Sequence, residues 1–86
     1  MKFEFDPAKS AATKADRGID FVEAQALWAG ETLELPPPHA SEPRSAVIGR
    51  IGSKHWTTII TRRANAVRII SARRARDKEI QAYEKR

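Results

Sequence analysis

Three strand-like segments that follow one another with only short turns between them constrain the fold of this chain most. They cover residues 45–51, 56–62 and 66–72. Gly52-Ser53 and Arg63-Ala64-Asn65 separate them, and turns of this length join antiparallel strands. Ile59-Ile60 and Ile69-Ile70 place apolar side chains on both faces of the second and third strands. We therefore expect these two strands to lie in the centre of a sheet.

The N-terminal segment predicts a short strand and then a helix. Residues 2–5 alternate between apolar and charged side chains, as in a strand with one buried face. Asp6 is suited to cap a helix, and Pro7 is suited to its first position. We expect a polar surface helix over residues 7–17, because its apolar residues are all alanines, and Gly18 can end it.

A second helix is expected to start at Asp20. Glu23 follows three residues later, which is the spacing of a capping box, and Gly30 can end the helix. Apolar residues then recur with helical periodicity at Phe21, Ala24, Leu27 and Trp28. This helix is therefore the best candidate to pack against the sheet.

The remaining elements complete the predicted architecture. Residues 32–35 form a short strand candidate, and the prolines and polar residues at 36–43 indicate a loop. A last helix over residues 76–85 carries Ile80 and Tyr83 on one face. The predicted order is β-α-α-β-β-β-β-α. The fold class is α+β, an antiparallel sheet with the helices packed on one face.

Length and composition limit the kind of protein further. Eighty-six residues provide one hydrophobic core, so we expect a single domain over residues 1–86. The chain has no cysteine, which excludes disulfides, thiolate metal sites and thiol nucleophiles. No apolar run reaches about 18 residues, and the N-terminal residues lack the apolar segment of a signal peptide. We therefore expect a cytoplasmic protein with no membrane partner.

The positive charge is concentrated in one half of the sequence. The net charge is +5, but the span from Arg44 to Arg76 contains no acidic residue, whereas the rest of the chain is acidic on balance. The basic residues of this span are Arg44, Arg50, Lys54, Arg62, Arg63, Arg68, Arg73, Arg74 and Arg76. This segregation favours a polyanionic partner such as nucleic acid. A solvated basic surface that maintains solubility is the alternative.

Few catalytic chemistries are compatible with these residues. The chain has two histidines, His39 and His55, and no acidic cluster at ligand spacing, so we expect no metal site and no cofactor. No glycine-rich phosphate loop precedes a helix, and no nucleophile elbow is present. What remains is a sheet with arginines at its turns and strand ends. Guanidinium groups bind phosphate oxygens through paired hydrogen bonds and keep their charge at any working pH.

Cleavage of RNA would require little else. The 2′-hydroxyl is a built-in nucleophile, so the protein must supply position, positive charge and proton transfer. His55, Glu79 and Tyr83 are the candidates for proton transfer. Nucleic-acid binding without cleavage explains the same basic pattern. A plain DNA-binding protein is disfavoured, because the helix pair around Gly18 has its basic residues on the first, polar helix.

Four stretches together resemble the BrnT family, the toxins of a type II toxin–antitoxin pair. They are FEFDPAKSAA at 3–12, RGIDFVEAQALW at 17–28, EPRSAVIGRIGSKHW at 42–56 and VRIISARRAR at 67–76. The resemblance implies a RelE-like fold and a metal-free, ribosome-independent ribonuclease that slows growth by cutting RNA. It also implies a neutralising BrnA antitoxin with a ribbon-helix-helix part. Operator DNA would then be bound only through the toxin–antitoxin complex.

The same resemblance indicates candidate site residues. The basic residue of the family falls on Arg50, its GKHW-like turn on 53–56, its TxR on Thr61 and Arg63, and its IRIISARxA on 67–75. Its C-terminal ExxxY falls on Glu79 and Tyr83. The residues that we expect to act in RNA binding or cleavage are Arg50, His55, Arg63, Arg68, Arg73 and Tyr83.

One segment departs from the family pattern. Relatives usually carry Asn-x-x-Lys-His-Gly before the second helix, and Asp16 and Arg17 replace that lysine and histidine here. Arg17 can bind phosphate but cannot exchange a proton near neutral pH. If the family's histidine transfers a proton, this chain is a weakened toxin that acts by binding an antitoxin or nucleic acid. Convergence of five residues in one cleft would favour an enzyme, and dispersal would favour a binding surface. These five residues are Arg17, Arg50, Arg63, Arg68 and Tyr83.

Overall fold

The computed structural model describes residues 1–36, 41 and 43–86. Strands and helices succeed one another as predicted, except that a 3₁₀ helix replaces the second α-helix. The elements are β1 (Lys2–Glu4), α1 (Pro7–Arg17), the 3₁₀ helix (Glu23–Ala29), β2 (Leu33–Leu35), β3 (Ser45–Ile51), β4 (Lys54–Arg63), β5 (Ala66–Arg74) and α2 (Asp77–Lys85). The predicted loop at 36–43 falls mainly on residues outside those described.

The ends of α1 form as its local sequence predicts, whereas the second helix begins at Glu23, three residues after the predicted start at Asp20. The Asp6 side chain accepts a hydrogen bond from the Ala8 backbone N–H (2.9 Å), and Pro7 occupies the first turn of α1. Gly18 ends this helix in the left-handed region (φ 82°), which glycine adopts without a steric penalty. Asp20 and Glu23 exchange reciprocal backbone-to-side-chain hydrogen bonds of 2.9 and 2.7 Å, so the predicted capping box is confirmed.

The five strands form one mixed sheet in the order β1-β5-β4-β3-β2. The strands β2, β3, β4 and β5 pair antiparallel, but β1 pairs with β5 in parallel, with Phe3 opposite Val67. The prediction of a purely antiparallel sheet is therefore wrong. The alternation in residues 2–5 indicates a strand but contains no information about its partner. The chain passes through α1 and the 3₁₀ helix from one edge of the sheet to the other before β2 begins.

The sheet is covered on both faces, so the prediction that all helices pack on one face is also wrong. On the core face, Val47 and Ile60 join Phe21 and Leu27 in the main apolar cluster, and the 3₁₀ helix covers this face. Thr57 belongs to the opposite face by strand alternation. It is fully buried there and hydrogen-bonds α2, so we call this side the α2 face.

The 3₁₀ helix lies very close to β3 on the core face. A Cβ atom at Gly49 would lie 2.9 Å from the Leu27 side chain, so the missing side chain permits this close approach. Trp28, a predicted core residue, is only half-buried and packs edge-to-face on Phe3, with ring centroids 5.0 Å apart. Helix α1 lies against β5, and the Ser10 hydroxyl accepts a hydrogen bond from the Phe21 backbone N–H (2.9 Å). This bond ties α1 to the apolar segment that follows it.

Candidate functional site

The structure separates the six candidate residues into two groups on the α2 face. Strand alternation and register place the five strand residues among them on this face, and Tyr83 approaches it from α2. Arg50, His55, Arg73 and Tyr83 lie at the end of the sheet that α2 covers. Arg63 and Arg68 lie at the other end.

His55 is the centre of the first group. Arg50 lies directly opposite it in the pairing of β3 with β4. The Nε2 atom of His55 lies 2.7 Å from Oε2 of Glu84. The His55 ring contacts the Tyr83 ring edge-to-face, with ring centroids 5.5 Å apart. The His55 side chain is 17 % exposed, whereas that of Glu84 is 52 % exposed. The imidazole is therefore held in place by its neighbours yet remains reachable from solvent.

The hydrogen bond to His55 is the main cause that lowers the pKa of Glu84. The charges of Arg50 and Arg86 act in the same direction. Glu84 is therefore ionised at neutral pH and can only accept hydrogen bonds. Glu84 lies 29 residues from His55 in the chain, so no local sequence pattern connects the two. The one sequence signal for Glu84 is its position in α2, four residues after Ile80 and therefore on the same side of the helix.

Arg73 and Glu79 form a separate, largely buried ion pair beside this group. Arg73 donates two hydrogen bonds to Glu79, of 2.8 and 2.9 Å, and both side chains are less than one fifth exposed. Glu79 also accepts from the Thr57 hydroxyl (3.0 Å) and from the Arg76 backbone N–H (2.8 Å). The hydrogen bonds from Arg73 are the main reason that the pKa of Glu79 falls to about 2. A carboxylate of this kind is a poor proton acceptor at neutral pH, so Glu79 is unsuited to proton transfer.

The hydroxyl of Tyr83 is committed to a structural contact. It donates a hydrogen bond of 3.0 Å to the backbone carbonyl of Glu31, and the guanidinium of Arg86 lies 3.8 Å above its ring. Tyr83 is 5 % exposed. Its ring therefore forms one wall around His55, and its hydroxyl is not free to exchange a proton with a bound substrate.

Arg63 and Arg68 lie far from His55. Arg68 is paired with Thr61 across β4 and β5, and Thr61 is six residues from His55 along β4, which corresponds to about 20 Å. Arg68 Nη1 lies 4.0 Å from Oε1 of Glu4 in the neighbouring β1. Arg63 is exposed at the turn into β5. These two arginines extend the basic surface but do not contact the His55 group.

Arg17 lies apart from both groups, beside β5 at the end of α1. It lines an open groove of about 390 Å³ between the C-terminal half of α1 and β5. The lining residues are Ala12, Thr13, Asp16, Arg17, Ser71 and Ala72. Arg17 Nε donates to the Asp16 carboxylate at 2.9 Å, and both side chains are more than half exposed. The five residues whose convergence would favour an enzyme therefore do not meet in one cleft.

Within residues 1–36, 41 and 43–86, no group of three or more histidine, cysteine or acidic side chains is placed to hold a metal ion. Among the described helices, none is both long and apolar enough to cross a membrane.

Comparison with known sequences identifies the family to which the chain belongs. No curated protein matches the chain. A family model described as "Ribonuclease toxin, BrnT, of type II toxin-antitoxin system" matches residues 5–79. This match includes most of the chain, from the end of β1 to the first turn of α2, and contains the strands that carry the basic residues. The chain therefore belongs to the BrnT family of ribonuclease toxins of type II toxin–antitoxin systems.

Proposed function

We propose that this toxin cleaves RNA without a metal ion, with His55 as the group that accepts the proton of the 2′-hydroxyl and Arg50 as the cation that holds the phosphate. The observation that carries the proposal is the contact between His55 and Glu84 directly beside Arg50. No other group in the described α2 face combines an imidazole with an adjacent exposed arginine.

The hydrogen bond to Glu84 determines which imidazole nitrogen can act. An ionised carboxylate only accepts hydrogen bonds, so Nε2 of His55 carries the proton that points to Glu84. In the neutral ring, Nδ1 is then the nitrogen without a proton. Glu84 therefore acts as a positioning residue that selects the tautomer and stabilises the imidazolium when it forms.

The reaction is an internal displacement. Nδ1 of His55 takes the proton of the 2′-hydroxyl while O2′ attacks the adjacent phosphorus. The bond from phosphorus to O5′ breaks, and the leaving oxygen takes a proton from the imidazolium or from water. The products are a 2′,3′-cyclic phosphate and a 5′-hydroxyl. Arg50 stabilises the additional negative charge on the phosphoryl oxygens as the displacement proceeds.

The first test is cleavage of RNA by the purified protein in EDTA and without ribosomes. The parent is expected to leave 2′,3′-cyclic phosphate ends, and His55→Gln is expected to be at least about a hundredfold slower. Lys54→Gln is the matched control, because Lys54 is adjacent in sequence, exposed and on the opposite face. Equal rates for His55→Gln and the parent would refute the role of His55.

A second candidate is a toxin-like domain that has lost cleavage and acts by binding. Two observations are in its favour. The five residues whose convergence would favour an enzyme are dispersed. Asp16 and Arg17, which replace the usual lysine and histidine, pair with each other in the groove. The same assay decides between the two candidates. Intact RNA after incubation with a well-folded parent would support the binding module.

We further propose that the neutralising partner is a BrnA-like ribbon-helix-helix antitoxin and that operator DNA is bound only through the complex. The acid-free span gives the α2 face an excess of arginines, and α2 leaves Arg63 and Arg68 uncovered. An acidic or apolar segment of the antitoxin is expected to cover this part of the face. The proposed site of action is the cytoplasm, where RNA and antitoxin are made. Solvent-exposed Arg63 and Arg68 in the complex would contradict this surface.

A further inference from the structure

The groove between α1 and β5 takes no part in the proposed mechanism. Its helical wall consists of positions 12, 13, 16 and 17, which form one stripe on the surface of α1. Its other wall is the part of β5 beyond β1, because β1 pairs only with residues 66–68. A volume of about 390 Å³ is sufficient for a flat heterocycle of nucleobase size but not for a large ligand.

The walls of the groove are held by contacts outside it. Gly18 closes α1 immediately after Arg17 and donates its backbone N–H to the Lys14 carbonyl. Lys14 in turn donates to both carboxylate oxygens of Glu23, at 2.7 and 2.9 Å. The Ser10 hydroxyl joins the helix to Phe21. The positions of Asp16 and Arg17 therefore depend on anchored backbone, and the groove exists before a ligand binds.

The chemistry of the lining fits a base better than a phosphate. Ala12 and Ala72 contribute small apolar side chains, and Thr13 and Ser71 also line the groove. The Asp16 carboxylate neutralises Arg17 and would repel an anionic phosphate at the same place. A carboxylate beside a guanidinium instead provides hydrogen-bond acceptors and donors next to each other. The edge of a nucleobase carries donors and acceptors in the same way and can bind to such a pair.

Among the four RNA bases, guanine matches this pair. Its N1–H and N2–H₂ groups can donate to the two oxygens of Asp16, and its O6 and N7 accept from arginine. Arg17 uses Nε for Asp16, and within the described residues its terminal nitrogens donate no other hydrogen bond. We propose that the groove is a guanine-binding subsite for single-stranded RNA, read by Asp16 and Arg17.

The subsite lies within reach of the proposed cleavage centre. Ser71 is opposite Ile59, which is four residues from His55 along β4, so the Ser71 and His55 backbones are roughly 14 Å apart along the sheet. Because the groove is lined by both Ser71 and the core-face residue Ala72, it lies at the edge of β5, whereas His55 lies on the α2 face. Arg73 lies between them, two residues beyond Ser71 on the same strand. A single strand of RNA that occupies both places therefore passes around the edge of β5. The inference rests on the proposal that RNA is the substrate, and it adds a base preference near the cleavage point.

The test uses RNA that cannot react. The ligands are four 2′-O-methyl hexanucleotides that contain uridine at five positions and one of the four bases at the sixth. They lack the 2′-hydroxyl nucleophile, so the experiment measures binding alone. Fluorescence anisotropy of the full chain is expected to show about tenfold tighter binding of the guanine oligonucleotide than of the others. Asp16→Asn is expected to abolish this preference, because it removes one of the two acceptors, and to improve binding of adenine.

Two further variants complete the experiment. Asp77→Asn removes an exposed carboxylate in α2, far from the groove in sequence, and is expected to keep the preference for guanine. Ala12→Leu fills the groove from an exposed helical position and is expected to abolish the preference without loss of folding. Equal affinity for all four bases, or a guanine preference that survives both Asp16→Asn and Ala12→Leu, would overturn the subsite.

The result is independent of the proposed catalytic role of His55. A guanine preference with unreacted natural RNA would support the subsite while the cleavage proposal fails. Efficient cleavage together with equal binding of all four oligonucleotides would support the cleavage proposal while the subsite fails.

Discussion

The two faces of the sheet are stabilised in different ways. On the core face, Phe21, Leu27 and Ile60 are fully buried and pack as non-directional apolar groups. On the α2 face, charged hydrogen bonds join the helix to the strands, above all those of Glu79 with Arg73 and of Glu84 with His55. Apolar packing tolerates small shifts, whereas paired charges require defined geometry. The α2 face is therefore where position and protonation can be controlled, and where one substitution changes both.

The largest effect should come from the core face. Leu27→Ala removes a side chain with no solvent exposure that also contacts Gly49, so we expect the free energy of unfolding to fall by about 3 kcal/mol or more. Urea denaturation followed by circular dichroism measures this change. Val22→Ala is the control, because Val22 is 61 % exposed and should change stability little. Similar values for the two variants would mean that the 3₁₀ helix does not pack as described.

On the α2 face, Arg73→Ala should be the most costly substitution. It leaves the Glu79 carboxylate largely buried with only Thr57 and the Arg76 backbone as partners, so we expect a loss of about 2–3 kcal/mol. The same denaturation experiment measures it. Replacing both members, Arg73→Met with Glu79→Met, should cost less than Arg73→Ala, because no unpaired charge remains. A double variant that is less stable than the single one would show that the pair itself supplies the stability.

The third largest effect should be a loss of stability at low pH that comes from Glu79 on the α2 face. The pKa of Glu79 is about 2 in the folded protein and near its ordinary value of 4.5 in the unfolded chain. The unfolded chain therefore binds the proton more tightly, so the stabilisation is complete above about pH 4.5 and is lost as the pH falls towards 2. We expect it to be on the order of 2 kcal/mol. Thermal melts from pH 5 to pH 2 should show a flatter curve for Glu79→Gln than for the parent.

The smallest effect should come from an arginine pair that is exposed. Arg62 donates two hydrogen bonds of 2.6 Å to Glu34, as Arg73 does to Glu79, but its side chain is 56 % exposed. Solvent screens such a pair, so Arg62→Ala should cost about 0.5 kcal/mol or less. Urea denaturation of Arg62→Ala and of Arg73→Ala compares the loss of an exposed arginine–glutamate pair with the loss of a largely buried one. Equal losses would contradict the idea that burial sets the difference.

Much of the local structure could be predicted from the sequence. Helix α1 begins after Asp6 and ends before Gly18, as its cap residues indicate, and β3 has the predicted bounds. The strands β4 and β5 extend slightly beyond their predicted ends, and Ala64 adopts a positive φ of 48° in the turn between them. The second helix forms at its capping box but as a 3₁₀ helix. Periodicity over seven residues does not distinguish the two helix types.

The candidate site was predicted less completely. His55 and Arg50 are adjacent because the hairpin pairs them, and a hairpin is a local feature that sequence can indicate. Glu84 is missing from the prediction because its contact with His55 depends on where α2 docks. The family resemblance groups Arg63 and Arg68 with His55, but the length of β4 separates them. Thr13 and Ser71 carry no sequence signal of their shared groove.

By itself, the sequence determined the elements of this protein, the concentration of positive charge and the family resemblance. These depend on residues within about one helical turn or one hairpin of each other, or on residue identity alone. Only the tertiary structure decided that β1 runs parallel to β5, that α2 covers the face opposite the 3₁₀ helix, and that Asp16 and Arg17 face Ser71 across a groove. The physical reason is that these contacts join segments distant in sequence. They are selected by how the whole chain buries apolar surface and pairs its charges, which no local pattern encodes.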